Sequence, residues 1–183
     1  MISEQVTVRK LNVGCGTDVR SGWVNMDVVK LPGVDVVHDI QEPLPFADDT
    51  FEEILCQDVL EHVAYIPVLR ELLRVLRPGG RLRIRVPHFT CKNNFVDPTH
   101  RHLFSWRTFG FFTRNSLYGR HYYFDFSFSH IENARITFSR GYYVYNYVME
   151  PLVNLTDRTR DVYEETMLSR LFPALNIELD LRK

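Results

Sequence analysis

The residues of this chain best suited to do chemistry sit at the ends of short apolar runs. Gly14-Cys15-Gly16 follows the run 8–13. Glycine has no Cβ, so a strand that enters Gly-x-Gly can turn sharply and expose backbone N–H groups to a close ligand. Such a loop at the carboxyl edge of a sheet binds a nucleotide-like cofactor, although an ordinary turn uses the same residues. Asp27 ends the next apolar run, where its carboxylate could accept two hydrogen bonds from a ribose diol. Asp39 ends the third, within reach of an exocyclic adenine amine.

A dinucleotide is the competing ligand for this arrangement. Its fingerprint needs a third glycine and an acidic residue about 20 positions further on. Here Val19 stands at the third-glycine position and Asp27 comes too early, so a pyrophosphate would lack its close helix approach.

A second polar group lies further along, in Asp97-Pro98-Thr99-His100-Arg101-His102, after the fifth apolar run. At the carboxyl edge of a sheet this segment would form a wall for a second substrate, with His100 and Asp97 as candidate catalytic residues; alternatively Asp97 and Thr99 cap a turn. His62 is a further candidate, against a packing role at a helix start, and His88, His102, His121 and His130 complete the histidines considered. Asp97, His100 and His102, with His88, match no ligand spacing with a mechanical rationale, and no metal is expected. Cys15 is read as a packed loop residue without catalytic role.

The elements that carry these residues alternate in type. Strands are expected over 8–13, 23–28, 34–38, 51–56 and 82–86, with a helix over 59–76 stopped by Pro78-Gly79-Gly80. Strands alternating with helices argue for a parallel sheet with right-handed crossovers. The second half is strongly aromatic from 104 to 147; Phe124, Phe126 and Phe128 alternate with polar residues as in a strand, further strands are read at 134–140 and 176–181, and a helix at 163–171. Those rings are more readily core than a binding platform.

Composition limits the class. The 183 residues are 45% hydrophobic and 25% charged, as in an ordinary globular domain, and one domain over 1–183 is expected. Net charge is -1, from 22 Lys plus Arg against 23 Asp plus Glu, so no field draws the chain to a polyanion and no nucleic-acid partner is expected. Three scattered cysteines fit reduced thiols, and the start Met1-Ile-Ser-Glu-Gln-Val reads neither as a leader nor as an anchor. A cytoplasmic protein without a membrane span is the expectation.

These segments resemble the class I S-adenosylmethionine (SAM)-dependent methyltransferases. Leu11-Asn12-Val13-Gly14-Cys15-Gly16-Thr17 with Gly22-Trp23-Val24-Asn25-Met26-Asp27 is similar to their first two motifs. His38-Asp39-Ile40 followed by Leu44-Pro45-Phe46-Ala47-Asp48-Asp49-Thr50-Phe51 is similar to the third, Asp58-Val59-Leu60-Glu61-His62-Val63 to the fourth, and Leu76-Arg77-Pro78-Gly79-Gly80-Arg81-Leu82 to the turn before strand five. More narrowly, they resemble a small bacterial branch associated with cell-surface glycans, which shares the Asp-Pro-Thr-His stretch. SAM has no phosphate, so the missing third glycine is tolerable.

The resemblance implies a doubly wound, Rossmann-like α/β fold, a seven-stranded sheet mostly parallel with an antiparallel last strand, and acceptor-side insertions over about 88–175. It places Gly14 and Gly16 beneath the methionine part of SAM, Asp27 at the ribose, Asp39 and the backbone of Ile40 at the adenine, and Gln57 beside the site, with Cys15 and Val28 also counted among the cofactor-binding residues. The family's acidic residue two before the first glycine is Asn12 here, which can orient the loop with less pull on the SAM ammonium. The implied reaction is O-methylation of a small molecule or glycan precursor. Alternatives are a nucleic-acid or protein acceptor, marked by a basic groove, and a SAM-binding regulatory subunit without catalysis, toward which Asn12 points.

One pattern conflicts with a doubly wound sheet, whose central strands are apolar on both faces. Arg81, Arg83 and Arg85 alternate with Leu82, Ile84 and Val86, and Glu178, Asp180 and Arg182 with Ile177, Leu179 and Leu181. The connection from Gly16 to Trp23 is also too short for a full helix. The Arg83 face is therefore expected to be open, or covered by a second subunit in a homodimer or by the segment 157–171, with arginines and carboxylates paired across strands five and seven.

Overall fold

The computed structural model describes residues 9–115, 119–141 and 143–183; residues 1–8, with the N-terminal stretch, and the side chain of His121 lie outside it. Seven strands form one sheet in the order β3-β2-β1-β4-β5-β7-β6. They are β1 (Lys10–Val13), β2 (Val24–Asp27), β3 (Val36–Val37), β4 (Phe51–Gln57), β5 (Leu76–Pro87), β6 (His130–Thr137) and β7 (Asn176–Arg182). β7 runs antiparallel between β5 and β6, while β3, β2, β1, β4 and β5 pair in parallel. The expected strand sequence and the antiparallel last strand are both present.

Among the described residues no helix precedes α1 (Tyr65–Val75), so β1, β2, β3 and β4 follow one another through loops. The short β1–β2 connection is held by side chains. The Asn12 amide donates to the Asp18 carbonyl at 2.7 Å and to Asn25 Oδ1 at 3.2 Å, and Asn25 Oδ1 also accepts from the Arg20 N–H at 2.9 Å. Both asparagines are buried, and each satisfied polar pair replaces a contact that a helix would have made.

The helix read at 59–76 begins six residues later. Pro67 explains the shift: it lacks an N–H and its ring clashes with the carbonyl four residues back, so it is tolerated only in the first turn. Residues 58–64 are consequently a loop. α1 then buries Val68, Leu69, Leu72 and Val75 on the face that carries Ile54, Cys56, Leu82, Ile84 and Val86, each fully buried large side chain contributing about 1.5–3 kcal/mol. At its other end, Pro78-Gly79-Gly80 does not separate helix from strand. β5 begins at Leu76 and absorbs the glycines as an irregularity between Phe51 and Glu53 of its partner.

The second half departs more from the sequence reading. Phe124 and Phe126 form no strand; both pack against Phe112, at 4.6 and 5.8 Å between ring centroids, and Phe128 makes an isolated bridge to Thr113. The alternation is real but no partner strand answers it. Strand β6 starts at His130 rather than 134, with a bulge at Asn133, whose φ is 54°. The helix read at 163–171 is two: α4 (Asp157–Glu165), opened by a capping box between Thr156 and Thr159, and α5 (Leu168–Leu171). α2 (Asn93–Val96) and α3 (Asn146–Val153) are the other α-helices among the described residues. Phe104, Phe109, Phe112 and Phe128 are fully buried, so much of the aromatic run is core, while Tyr122, Tyr123, Tyr143 and Tyr147 are exposed.

The charged face is as the strand pattern requires. Arg83 pairs in register with Asp180 and Arg85 with Glu178. Glu53 of β4 takes Arg81 at 2.8 Å and Arg83 at 3.1 Å, and Asp180 lies 3.8 and 3.7 Å from the same two arginines. Burial alone would raise the Glu53 carboxyl, but Lys10, Arg81 and Arg83 outweigh it and hold it below its usual range. The Arg83 side chain stays 45% exposed over an open groove of about 560 Å³ reaching from Arg20 to Asn154.

Candidate active site

The Gly14–Gly16 loop leaves β1 with both glycines at positive φ, 61° and 48°. At Gly14 the need is also steric: an added Cβ would lie 2.3 Å from Val59 Cγ2. Asp27, at the end of β2, fastens the loop by accepting the Gly16 N–H at 2.7 Å on Oδ2 and the Val29 N–H at 2.9 Å on Oδ1. Asp39 makes the same kind of turn beyond β3, accepting the Gln41 N–H at 2.9 Å.

These residues line a cleft of about 360 Å³, bounded by Gly14, Met26, Asp27, Val28, Asp39 and Ile40 on one side and by Asp58, Val59 and His62 on the other. The volume is that of a small-molecule site. No lysine or arginine stands among its lining residues.

Two of the residues expected at the cofactor lie on the arginine face of the sheet. The side chain of Gln57 shares the face of Leu55 and Glu53, because strand residues alternate, and it lines the arginine groove. Its side chain is not among the residues lining the cleft. Asn12 occupies the same face, and its amide N–H groups hold the loop after the Gly-rich turn. Cys15 is buried in the loop, with its N–H on the Met26 carbonyl at 3.1 Å, and burial raises its thiol pKa.

The three candidate catalytic residues cluster together, with His62 the one among them that lines the cleft. His62 Nδ1 lies 2.8 Å from Thr99 Oγ1, and the Thr99 hydroxyl donates to Asp97 Oδ1 at 2.6 Å. The hydroxyl has one proton; with that proton on Asp97, its oxygen accepts from Nδ1–H. The tautomer assigned from this chain of bonds leaves the lone pair of His62 on Nε2. Burial lowers the His62 pKa, with His100 adding to the effect, so the neutral ring is favoured. The His100 ring stands edge-on to His62, 4.7 Å between centroids, with Nε2 3.8 Å from Asp97 Oδ2. The Thr99 hydroxyl and N–H hold the Asp97 carboxyl below its usual range.

Glu61 and Asp58 stand out only in the structure. Glu61 is 1% exposed, and neither carboxylate oxygen has a hydrogen-bond partner from another residue. Burial is the main cause pushing its pKa up to about 7. Asp58 adopts φ 55°, uncommon outside glycine, and is ion-paired with Arg85. Both lie within the fourth motif, whose polar residues were the available signal. The other histidines are elsewhere. His88 is buried between Glu164 and Thr90, His102 packs on Tyr65, and His130 pairs with Glu132. Asp97, His100, His102 and His88 therefore do not converge.

Known proteins share these features. Residues 15–84 match the family model described as a methyltransferase domain. A SAM-dependent methyltransferase structure from Archaeoglobus fulgidus superposes with a TM-score of 0.56 at 15% identity, covering 96% of this chain and 86% of that one. The [4+2]-cyclase SpnF superposes with a TM-score of 0.55 at 18% identity, covering 96% and 75%. In sequence, the methyltransferase GfsG of Streptomyces halstedii is 33% identical over 102 residues, which cover 40% of this chain and 36% of that protein. The chain spans between about a fifth and about a third of the length of the curated relatives it matches. Sheet order and the loop–carboxylate geometry define the class I methyltransferase fold. Together with the family match over 15–84, they make this chain similar to SAM-dependent methyltransferase domains. Among the described residues no helix is long and apolar enough to cross a membrane.

Proposed function

We propose that the chain, acting as one domain over 1–183, transfers the methyl group of SAM to an oxygen of a small molecule or glycan precursor at the His62 end of the cleft. The observation that carries this reading is one cleft with Asp27, Val28, Asp39 and Ile40 along the cofactor wall and His62 opposite. The sulfonium already activates the methyl carbon, so the protein's task is alignment: the acceptor oxygen bonds to carbon as the sulfur–carbon bond breaks. The acceptor hydroxyl must also lose its proton. His62 Nε2 offers a lone pair there, by taking the proton itself or through a bound ion. His100 and Asp97 act on the same side.

A cleft lined without lysine or arginine supports a small acceptor over a nucleic acid. The regulatory alternative, a SAM-binding domain without turnover, keeps one argument: a fold of this kind also serves the cyclase SpnF, so fold alone does not name the reaction. A cytoplasmic location and a homodimer across the open Arg83 face are parts of the same proposal, the latter checked by light scattering. Turnover of a panel of hydroxylated acceptors tests the reaction. His100→Ala is expected to lower the rate far more than SAM affinity; equal losses in both would point to a structural role.

A further inference from the structure

Three donor atoms, one each from Glu61, His62 and His100, lie within 4.8 Å of one another beside the cleft. This set shares only His100 with the spacing considered from sequence. Its donors are unused. Both Glu61 oxygens and His100 Nδ1 are buried without a hydrogen-bond partner from another residue. A buried carboxylate left so is costly unless a cation completes it. The His100 side chain is only 7% exposed, which rules out solvent as the ordinary partner of Nδ1.

The surroundings are those of metal-ligating histidines, whose second ring nitrogen is normally held by a carboxylate or hydroxyl. His62 Nδ1 is held by Thr99 Oγ1 at 2.8 Å, which frees Nε2. His100 Nε2 faces Asp97 at 3.8 Å, which leaves Nδ1. One residue, Asp97, faces both rings, through the Thr99 hydroxyl on one side and at 3.8 Å, beyond hydrogen-bond length, on the other.

We infer that Glu61, His62 and His100 bind one divalent transition-metal cation, of the zinc, manganese or iron type, at the acceptor end of the cleft. Two imidazoles and a carboxylate are a donor set for such ions and not for calcium or magnesium. Donors about 2.0–2.2 Å from an ion at tetrahedral angles stand about 3.3–3.6 Å apart, so the three side chains close by up to about 1.5 Å on binding. Three protein ligands leave a coordination position open. Since His62 lines the cleft, that position serves the acceptor, and a bound hydroxyl there would ionise more readily. This last step rests on the methyl-transfer reading; the binding of the ion does not.

Chelator-stripped protein titrated with Co²⁺, followed by visible absorption, and with Zn²⁺ by calorimetry tests the inference. The expected result is one saturable equivalent. Glu61→Gln and His100→Ala should each weaken it about 100-fold or more, and Asp97→Asn about 10–100-fold. His102→Ala, outside the set, should leave it unchanged. SAM affinity measured on the same samples shows that the variants are folded, and keeps failure of the metal site distinct from failure of the cofactor site. If Glu61→Gln unfolds, His100→Ala and Asp97→Asn decide. Absence of a saturable equivalent, or an equal loss in His102→Ala, overturns the inference.

Discussion

Replacing Gly14 with alanine should damage the chain through two separable causes. The residue sits at φ 61°, where a side chain costs about 1–2 kcal/mol. Its new Cβ would also lie 2.3 Å from Val59 Cγ2, and overpacking of that kind costs about 1–3 kcal/mol. The sum, about 2–5 kcal/mol, corresponds to a melting temperature lower by about 4–20 °C for a domain of this size. Because Val59 lines the cleft, relief of the clash would push its side chain into the cofactor space, and SAM affinity should fall at least about tenfold. Val59→Ala alone should cost about 1 kcal/mol, since the side chain is half-buried. In the double variant the clash disappears and only the backbone strain remains, so the two substitutions should couple by about 1–3 kcal/mol. Thermal unfolding and SAM calorimetry on the four proteins of the cycle measure this. Additive losses, or a Gly14→Ala protein with unchanged melting temperature and affinity, would refute the reasoning.

Other consequences follow from the packing and the charges. Leu72 is fully buried on the α1 face, so Leu72→Ala should cost about 2–5 kcal/mol in urea unfolding while SAM affinity stays near that of the parent. Glu71 accepts from Arg74 at 2.8 Å and from the Leu44 N–H at 3.1 Å, and the Arg74 guanidinium holds its carboxyl below the usual range. A lowered folded-state pKa adds stability above the unfolded pKa that is lost as pH falls through the folded one. Glu71→Gln should therefore cost about 1 kcal/mol at pH 7, and the gap should close below about pH 4; an equal gap at pH 3 would disprove the pairing.

The cleft around Gly14, Asp27 and Asp39 was legible because its residues obey short-range rules. Gly14, Gly16, Asp27 and Asp39 stand at strand ends, and alternation along β5 and β7 revealed a charged face before any coordinate did. Alternation also places the Gln57 side chain with those of Glu53 and Leu55, on the arginine side of the sheet. The α1 boundary was also written in the sequence, in Pro67, but hydrophobic spacing from Val59 onward concealed it. The acceptor side was less accessible. His62 and His100 are 38 positions apart in sequence, and only the tertiary fold brings their rings to 4.7 Å. Phe124 and Phe126 had the period of a strand, yet ring packing around Phe112 decided their place. Glu61 falls within the hydrophobic spacing read as a helix, whereas in the structure it is buried in the loop before α1.

The central claim is that SAM binds in the cleft between Asp27 and His62. Titration of SAM and of its demethylated product, S-adenosylhomocysteine, into the parent protein and into Asp27→Ala tests it most directly. Both should bind the parent with one-to-one stoichiometry. The variant should lose about 1.5–3 kcal/mol, roughly 10- to 150-fold in affinity, because charge-assisted hydrogen bonds to the ribose diol are gone. Equal affinity in parent and variant, or no binding to the parent at all, would contradict the account.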